Sequence, residues 1–195
     1  MMFPLSYWIR QNPVIFRGLS ILIATFFLGL TLAGCSRDSV PEPAHSSVSG
    51  LRSAPDFELK DPDGRSYRLN DFKGQAVVLH FWASWCPPCI EEIPRWIQAA
   101  PLFKGVPVKL IAISVDETWD KALKVYPKAA VAPNTLSLLD PTGEVARKYG
   151  TRQFPETYVL SRDLRIVEKL AGSQDWTNSR IRFLLAQALA LHNIL

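Results

Sequence analysis

Apolar runs and alternating segments in the middle of the chain predict a set of β-strands. Two runs rich in β-branched residues are typical of buried central strands, AVVLHFW (76–82) and VKLIAISVD (108–116). A hairpin is predicted at 57–69, where FELKDPDGRSYRL alternates around Asp-Pro-Asp-Gly. Further along the chain we expect a short strand in TLSLLD (135–140) and two strands around Ser-Arg-Asp in ETYVLSRDLRIVEKLAG (156–172).

Segments with helical patterns separate these strands. Helices are predicted from about Pro87 to Phe103, within 118–129, after a turn in 141–149, and as an amphipathic helix over 178–193. Because helices lie between strands and a hairpin comes late in the chain, this order predicts an α/β fold. We expect a mixed sheet covered by helices on both faces.

Residues 1–34 are predicted to be a lipoprotein signal peptide. Arg10 and Arg17 precede an uncharged apolar run, 18–33, as in the cationic and hydrophobic regions of a secretory signal. That run is shorter than the roughly 20 residues that span a bilayer comfortably. It ends in LAGC, which resembles a bacterial lipobox in which Cys35 is diacylated and becomes the first residue after cleavage. The alternatives are an uncleaved anchor and a buried cysteine in a membrane helix.

A lipidated cysteine and a flexible tether are predicted over 35–53, and the folded domain over 54–195. The tether is rich in Ser, Pro and charged residues and shows no periodicity. Two acyl chains on Cys35 would anchor the protein stably, whereas one chain gives only marginal binding. These features place the protein in a bacterial cell envelope, on the periplasmic or other extracytoplasmic side, and leave the leaflet open.

The charge of the chain says little about partners. The net charge of +4 includes Arg10 and Arg17, and without them 20 basic residues stand against 18 acidic ones, a net charge of +2. No basic run with interleaved aromatic residues occurs, so we expect no nucleic-acid partner.

Three cysteines in an exported protein leave an odd one to explain. Lipidation uses Cys35, so Cys86 and Cys89 remain as a pair. A zinc site needs four ligands, and the three histidines are scattered at positions 45, 80 and 192, so no metal is expected. A structural bridge over so short a loop would add little stability. In an oxidising compartment the pair is therefore best interpreted as a redox-active disulfide, with no other cofactor.

Four motifs around this pair resemble those of a known family. WCPPC (85–89) follows a buried strand, as in thioredoxin, and APDFEL (54–59), EEIP (91–94) and YGTRQFPETYVL (149–160) are similar to the tethered TlpA/ResA-type group, which includes cytochrome c maturation reductases. The resemblance covers about residues 51–193. It implies a thioredoxin-like three-layer α/β/α sandwich with a mixed central sheet and an N-terminal β-hairpin extension.

The order of the two cysteines predicts their roles. A helix N-terminus stabilises a thiolate, so Cys86 at the exposed edge is the expected nucleophile and the more buried Cys89 the resolving thiol. Pro88 and its neighbour Pro87 lie in the first helical turn, where a missing N–H costs nothing. Trp85 either covers the site from outside or simply packs there.

The resemblance assigns further site residues. Pro155 corresponds to the family's cis-proline, which faces the disulfide and pairs with substrate backbone, and Glu156 belongs to the PET of the cytochrome c maturation members. Glu92, one helical turn after Cys89, matches the acid that handles the proton of the buried cysteine. The alternative for Glu92 is a solvated helix carboxylate like Glu91.

Two residues depart from the family pattern. His80 stands where thioredoxin has a buried Asp and this group often has Asn, and it is either a packed neutral imidazole or part of a proton relay behind the cysteines. Phe154 replaces a smaller residue before the proline, so we expect it to reshape the substrate groove and partner choice.

These features predict a membrane-tethered thiol–disulfide oxidoreductase that reduces oxidised client proteins. Reduction is favoured because Pro88 resembles reducing thioredoxins, whereas strongly oxidising relatives carry His there. Reduction outside the cytoplasm implies a membrane electron donor of the DsbD/CcdA kind, with apocytochrome c or copper-site proteins as expected clients.

Two other functions stay open on the sequence. A peroxiredoxin shares the fold but needs Thr or Ser three residues before its reactive cysteine, where this chain has Ala83. A copper-delivery protein of the Sco type uses CxxxC and a distal His, and here the spacing is CxxC with only His192 far downstream.

Overall fold

The computed structural model describes residues 50–191, and a seven-stranded mixed sheet forms its centre. The order of strands across the sheet is β2-β1-β5-β4-β3-β6-β7. Strands β3, β4 and β5 run parallel, while β6, β7, β1 and β2 join through antiparallel pairs. The strands are β1 (Glu58–Lys60), β2 (Ser66–Arg68), β3 (Ala76–Trp82), β4 (Val108–Ser114), β5 (Thr135–Leu139), β6 (Glu156–Leu160) and β7 (Ile166–Ala171).

Helices cover both faces of the sheet. They are α1 (Pro87–Ala99), α2 (Trp119–Val125), α3 (Glu144–Tyr149) and α4 (Ser179–Ala190). One face packs against α1, α2 and α4, and the other against α3 and the segment that contains β1. The predicted three-layer sandwich with an N-terminal hairpin is confirmed.

Strand β3 shows how the sequence builds the two layers. All seven of its residues are buried, which is why it appears as a continuous apolar run. Val78 and Trp82 lie in the core on the α1 face, whereas Val77 and Phe81 lie in the core on the α3 face. His80 therefore projects towards α1, in register with Val78 and Trp82.

Most predicted elements agree with the structure, although several boundaries differ by a few residues. Helix α1 ends at Ala99, and a 3₁₀ turn over Ala100–Phe103 completes the predicted helix. Sheet-like hydrogen bonding already includes residues 52–54, because the Arg52 carbonyl accepts from Ile166 N–H and Ser53 bridges Arg165. The last residues of the predicted tether, 52 and 53, thus contact the sheet.

In the part of the chain that the structure covers, no helix combines the length and the apolar character needed to cross a membrane. The predicted signal peptide, Cys35 and nearly all of the tether lie outside the described residues, as does His192.

Candidate active site

The two cysteines lie at the junction of β3 and α1, where they form a disulfide. Cys86 is the N-cap of α1, with extended backbone, and its sulfur accepts the Cys89 N–H at 3.3 Å. Pro87 and Pro88 begin the helix at positions that need no N–H partner. A helix start that already donates N–H to Cys86 sulfur would stabilise its thiolate after reduction.

Cys86 is slightly more exposed than Cys89, as predicted. Cys86 is 5% exposed and Cys89 is 0% exposed. Cys86 was expected at an exposed edge, but its side chain is buried. The exposed residues next to it are Trp85, Pro87 and Pro88. A partner must therefore meet these three side chains in order to reach the Cys86 sulfur.

A buried carboxylate holds the loop before Cys86. Asp116, just after β4, accepts from the Ser84 N–H at 3.0 Å and from the Ser84 hydroxyl at 2.7 Å. It also accepts from the Ser114 hydroxyl at 2.6 Å. Asp116 was not among the predicted site residues, although its position next to the carboxyl end of the neighbouring parallel strand was a usable signal.

The segment before β6 lies beside the cysteine loop. The Phe154–Pro155 peptide bond is cis, as the resemblance implied. The ring of Phe154 meets the exposed ring of Trp85 edge-on, with centroids 5.7 Å apart. Trp85 is 62% exposed, so it covers the site from outside rather than filling the core.

A cavity of about 480 Å³ opens next to these two rings. Trp85 and Phe154 line one part of it, and Asp116, Arg147 and Thr151 contribute polar groups. Phe154 thus forms part of the wall of a cavity next to Trp85, and its influence on partner choice stays a prediction.

Glu92 is buried on the inner face of α1, which excludes the solvated alternative. It is 0% exposed, while Glu91 is exposed. Its Oε1 accepts from the Trp176 indole N–H at 2.7 Å and from the Gln174 backbone N–H at 3.0 Å. Burial raises the pKa of the Glu92 carboxyl, although these two donors and the charge of Arg95 oppose the rise. A carboxyl with a raised pKa is suited to exchanging a proton with a thiol.

His80 lies behind the cysteines as a packed, neutral imidazole. Its Nδ1 is 3.0 Å from the Thr157 hydroxyl, and its ring stacks on Trp96 with centroids 4.9 Å apart. Complete burial lowers the pKa of His80 to about 3. Such an imidazole is a poor proton acceptor near neutral pH, so the contacts favour packing over the proton relay.

Glu156 lies on the other face of the sheet. It precedes Thr157, which contacts His80, and adjacent strand residues point to opposite faces. Its carboxylate accepts from the Tyr158 hydroxyl at 3.0 Å and pairs with Lys169 at 3.1 Å. The structure therefore places Glu156 directly after the cis-proline but directs its charge away from Glu92.

Trp176, like Asp116, is a buried residue of the site that was not predicted from the sequence. It follows β7 in a stretch without periodicity, yet it is only 2% exposed and contacts Glu92, His80 and Trp96. No group of three or more His, Cys, Asp or Glu side chains within residues 50–191 is arranged to hold a metal ion.

Comparison with known proteins agrees with this geometry. Residues 51–169 match the AhpC/TSA family. The thiol-disulfide oxidoreductase ResA of Bacillus cereus is 30% identical over 167 residues, which cover 85% of this chain and 91% of that protein.

Two solved structures are similar over most of their lengths. The putative thiol:disulfide interchange protein DsbE from Chlorobium tepidum has 28% identity and a TM-score of 0.62, covering 71% of this chain and 96% of its own. The exposed lipoprotein thioredoxin from Streptococcus pneumoniae has 28% identity and a TM-score of 0.55, covering 67% and 98%. The chain belongs to the AhpC/TSA family of thioredoxin-like proteins, and it is a thiol–disulfide oxidoreductase related to ResA.

Proposed function

We propose that the protein is an exported, lipid-tethered reductase of disulfides in client proteins. The observation that carries this proposal is the position of Cys86, which caps α1, is bonded to Cys89 and lies beside Trp85 and the loop that contains Pro155. Pro88 between the cysteines favours reduction, as in reducing thioredoxins.

The proposed cycle transfers two electrons from the cysteine pair to the client. The Cys86 thiolate attacks one sulfur of the client disulfide, and the other client sulfur leaves as a thiolate. Cys89 then loses its proton to Glu92 and attacks the Cys86 sulfur. The bond between Cys86 and the client breaks, the client leaves as its second thiolate, and the Cys86–Cys89 disulfide forms.

The oxidised pair must be reduced again before the next cycle. We propose a membrane thiol transporter of the DsbD/CcdA kind as the electron donor. Apocytochrome c and proteins with copper-site cysteines are the proposed clients, and the cavity beside Trp85 and Phe154 offers space for the segment around the client cysteine.

Export and tethering rest on residues 1–35, with lipid on Cys35. The name of the similar pneumococcal structure, a lipoprotein thioredoxin, supports this part of the proposal. We expect Cys35→Ser to move the protein out of the membrane fraction and to abolish a diacylglyceryl group detectable by mass spectrometry. If the variant remained in the membrane, an uncleaved anchor would replace the lipid in this proposal.

Trapping tests the reductase function. In Cys89→Ala the mixed disulfide on Cys86 cannot be resolved, so client proteins should accumulate on Cys86 and be released by dithiothreitol. Cys86→Ala with Cys89 intact is the matched control and should trap far less. Absence of any trapped client, together with a Cys86–Cys89 pair that stays permanently oxidised in cells, would refute a reductase.

Two assays decide against the alternatives. A peroxiredoxin would consume hydrogen peroxide rapidly in the reduced state, and we expect none of that because Ala83 is buried and offers no hydroxyl. A copper-delivery protein would bind copper stoichiometrically when reduced, and we expect a copper titration of the reduced protein to show no stoichiometric binding.

A further inference from the structure

The segment from Gly172 to Trp176, called here the 172–176 segment, lies across the first turns of α1. It leaves β7, and the Ser173 hydroxyl donates to the Pro88 carbonyl at 3.1 Å. The Gln174 side chain donates back to the Gly172 carbonyl at 2.8 Å, which stabilises the turn. The segment thus contacts the cysteine-bearing end of α1 with its own backbone and side chains.

Two further hydrogen bonds of the segment reach a single oxygen of Glu92. The indole N–H of Trp176 donates to Oε1 at 2.7 Å, and the backbone N–H of Gln174 donates to the same atom at 3.0 Å. Oε2 is buried and has no hydrogen-bond partner among the described residues. The carboxyl is therefore held at one oxygen, while its other oxygen is available to carry a proton.

We propose that Trp176 is a positioning residue for disulfide exchange, which holds Oε1 of Glu92 so that Oε2 takes the proton of Cys89. This inference rests on the proposed function. Cys89 and Glu92 lie one helical turn apart on the same buried face of α1, so the two groups are neighbours. Trp176 is itself fixed by its edge-on contacts with Trp96, 4.7 Å between centroids, and His80, 5.8 Å.

The chemical step balances within these groups. The proton of the Cys89 thiol goes to Oε2, and the resulting thiolate attacks the Cys86 sulfur of the mixed disulfide. The Cys86–client bond breaks, and its electron pair leaves with the client sulfur. N–H donation to Oε1 stabilises the carboxylate before the proton arrives, and without it burial would leave Glu92 protonated at higher pH.

Other groups near Glu92 act on its charge as well. On α1 itself the cation of Arg95 lowers the pKa of Glu92, and the Ser173 hydroxyl also lowers it. Asp175 is exposed and bound to Thr177, and the same Arg95 lowers the pKa of Asp175. On β3, His80 is neutral because its pKa is about 3. None of these groups is changed by a substitution at Trp176.

Trp176→Phe removes the N–H and keeps an aromatic ring. We follow single turnover of the purified, reduced protein with a protein disulfide and measure the decay of the mixed disulfide from pH 5 to 9. The expected result is about tenfold slower decay at neutral pH and a pH midpoint shifted upwards, since the donor to the carboxylate is lost. Trp82→Phe is the matched control, because Trp82 is a buried tryptophan of the same core whose ring contacts Tyr126, and among the described residues it has no hydrogen bond to Glu92 and no ring contact with Trp176.

The same measurement in Glu92→Gln separates positioning from packing. If Trp176 acts through Glu92, Trp176→Phe causes no further slowing in that background. Equal slowing in both backgrounds, or an unchanged pH midpoint, would overturn the proposal. Where Trp176→Phe fails to fold, benzothienylalanine at position 176 retains the ring size without the N–H, and the same shift is required of it.

Failure of the proposed function has a different signature. If the wild-type protein forms no mixed disulfide with any protein substrate, the reductase proposal fails. If the wild type turns over and Trp176→Phe behaves like Trp82→Phe, the reductase stands and the positioning role of Trp176 is refuted.

Discussion

Two buried glutamates near the cysteines, Glu92 and Glu156, lie in opposite electrostatic settings. Glu92 on α1 receives two N–H donors, and within residues 50–191 no cation forms an ion pair with it. Glu156 on β6 contacts the ammonium of Lys169 as well as a hydroxyl. Both side chains are about equally buried, 0% and 2% exposed.

The two settings have different effects on the carboxyl groups of Glu92 and Glu156. Two N–H donors and the charge of Arg95 only partly offset burial, so the pKa of the Glu92 carboxyl is raised, as the proposed proton exchange with Cys89 requires. Glu156 instead forms an ion pair with Lys169, which makes its carboxylate part of a structural charge pair. Burial alone therefore does not identify the acid of a site, and the partner groups do.

The largest expected effect separates the two glutamates by activity. Glu92→Gln should slow resolution of the mixed disulfide by about 100-fold, the lower range for loss of general acid–base assistance. Glu156→Gln should change it by less than about threefold. Quenched-flow analysis of the Cys86 mixed disulfide measures both. Equal slowing in the two variants would remove the distinction drawn here.

Local patterns in the sequence were sufficient to predict the strand and the helix that position the two cysteines. Strand β3, the start of α1 and the pairing of Cys86 with Cys89 follow from an apolar run, a helical pattern and a CxxC. The burial of Glu92 was also readable, because Cys89, Ile93 and Trp96 occupy the same helical stripe.

Long-range partners were not readable in the same way. Trp176 lies 84 positions from Glu92, and Asp116 lies 32 positions from Ser84. Neither shows a periodic pattern that indicates its partner, since such contacts arise only when the sheet brings distant segments together. The neutral state of His80 likewise depends on a cluster assembled from β3, α1 and the 172–176 segment.

His80 provides the second test of the Glu92 face, because burial also disfavours its charged form. Its folded pKa, about 3, lies below the unfolded value of 6.5. The unfolded chain therefore binds a proton first as pH falls, and stability decreases by about 1.4 kcal/mol per pH unit between about pH 6 and 4. His80→Asn should lack this contribution. Urea unfolding of both proteins across this range measures it, and identical pH slopes would contradict a buried neutral imidazole.

Lys169 provides the corresponding test on the Glu156 face. Lys169→Met leaves a buried carboxylate without its cation, and we expect the free energy of unfolding to fall by about 1–2 kcal/mol. A fully buried pair would lose more, but 38% of the Lys169 side chain is exposed and water screens the pair. Adding Glu156→Gln should restore most of the loss. No recovery in the double variant would show that Lys169 acts through packing alone.

The smallest expected effect is the pH dependence of stability that Glu92 contributes. Its folded pKa is raised, so the folded protein favours the protonated carboxyl, and this contribution is lost as pH rises through the folded pKa. Glu92→Gln cannot ionise, and it should therefore gain stability relative to the wild type as pH rises above about 4.5, the ordinary pKa of a glutamate, towards the raised pKa of the folded protein. The gain is small because the N–H groups of Trp176 and Gln174 already favour the anion.

Glu156→Gln should instead be less stable than the wild type at neutral pH, since it loses the charge that Lys169 pairs with. The free energies of unfolding of the oxidised proteins, measured at matched pH values, compare the two variants. If Glu92→Gln lost stability relative to the wild type as pH rises, the folded protein would favour the carboxylate form of Glu92 over the protonated form.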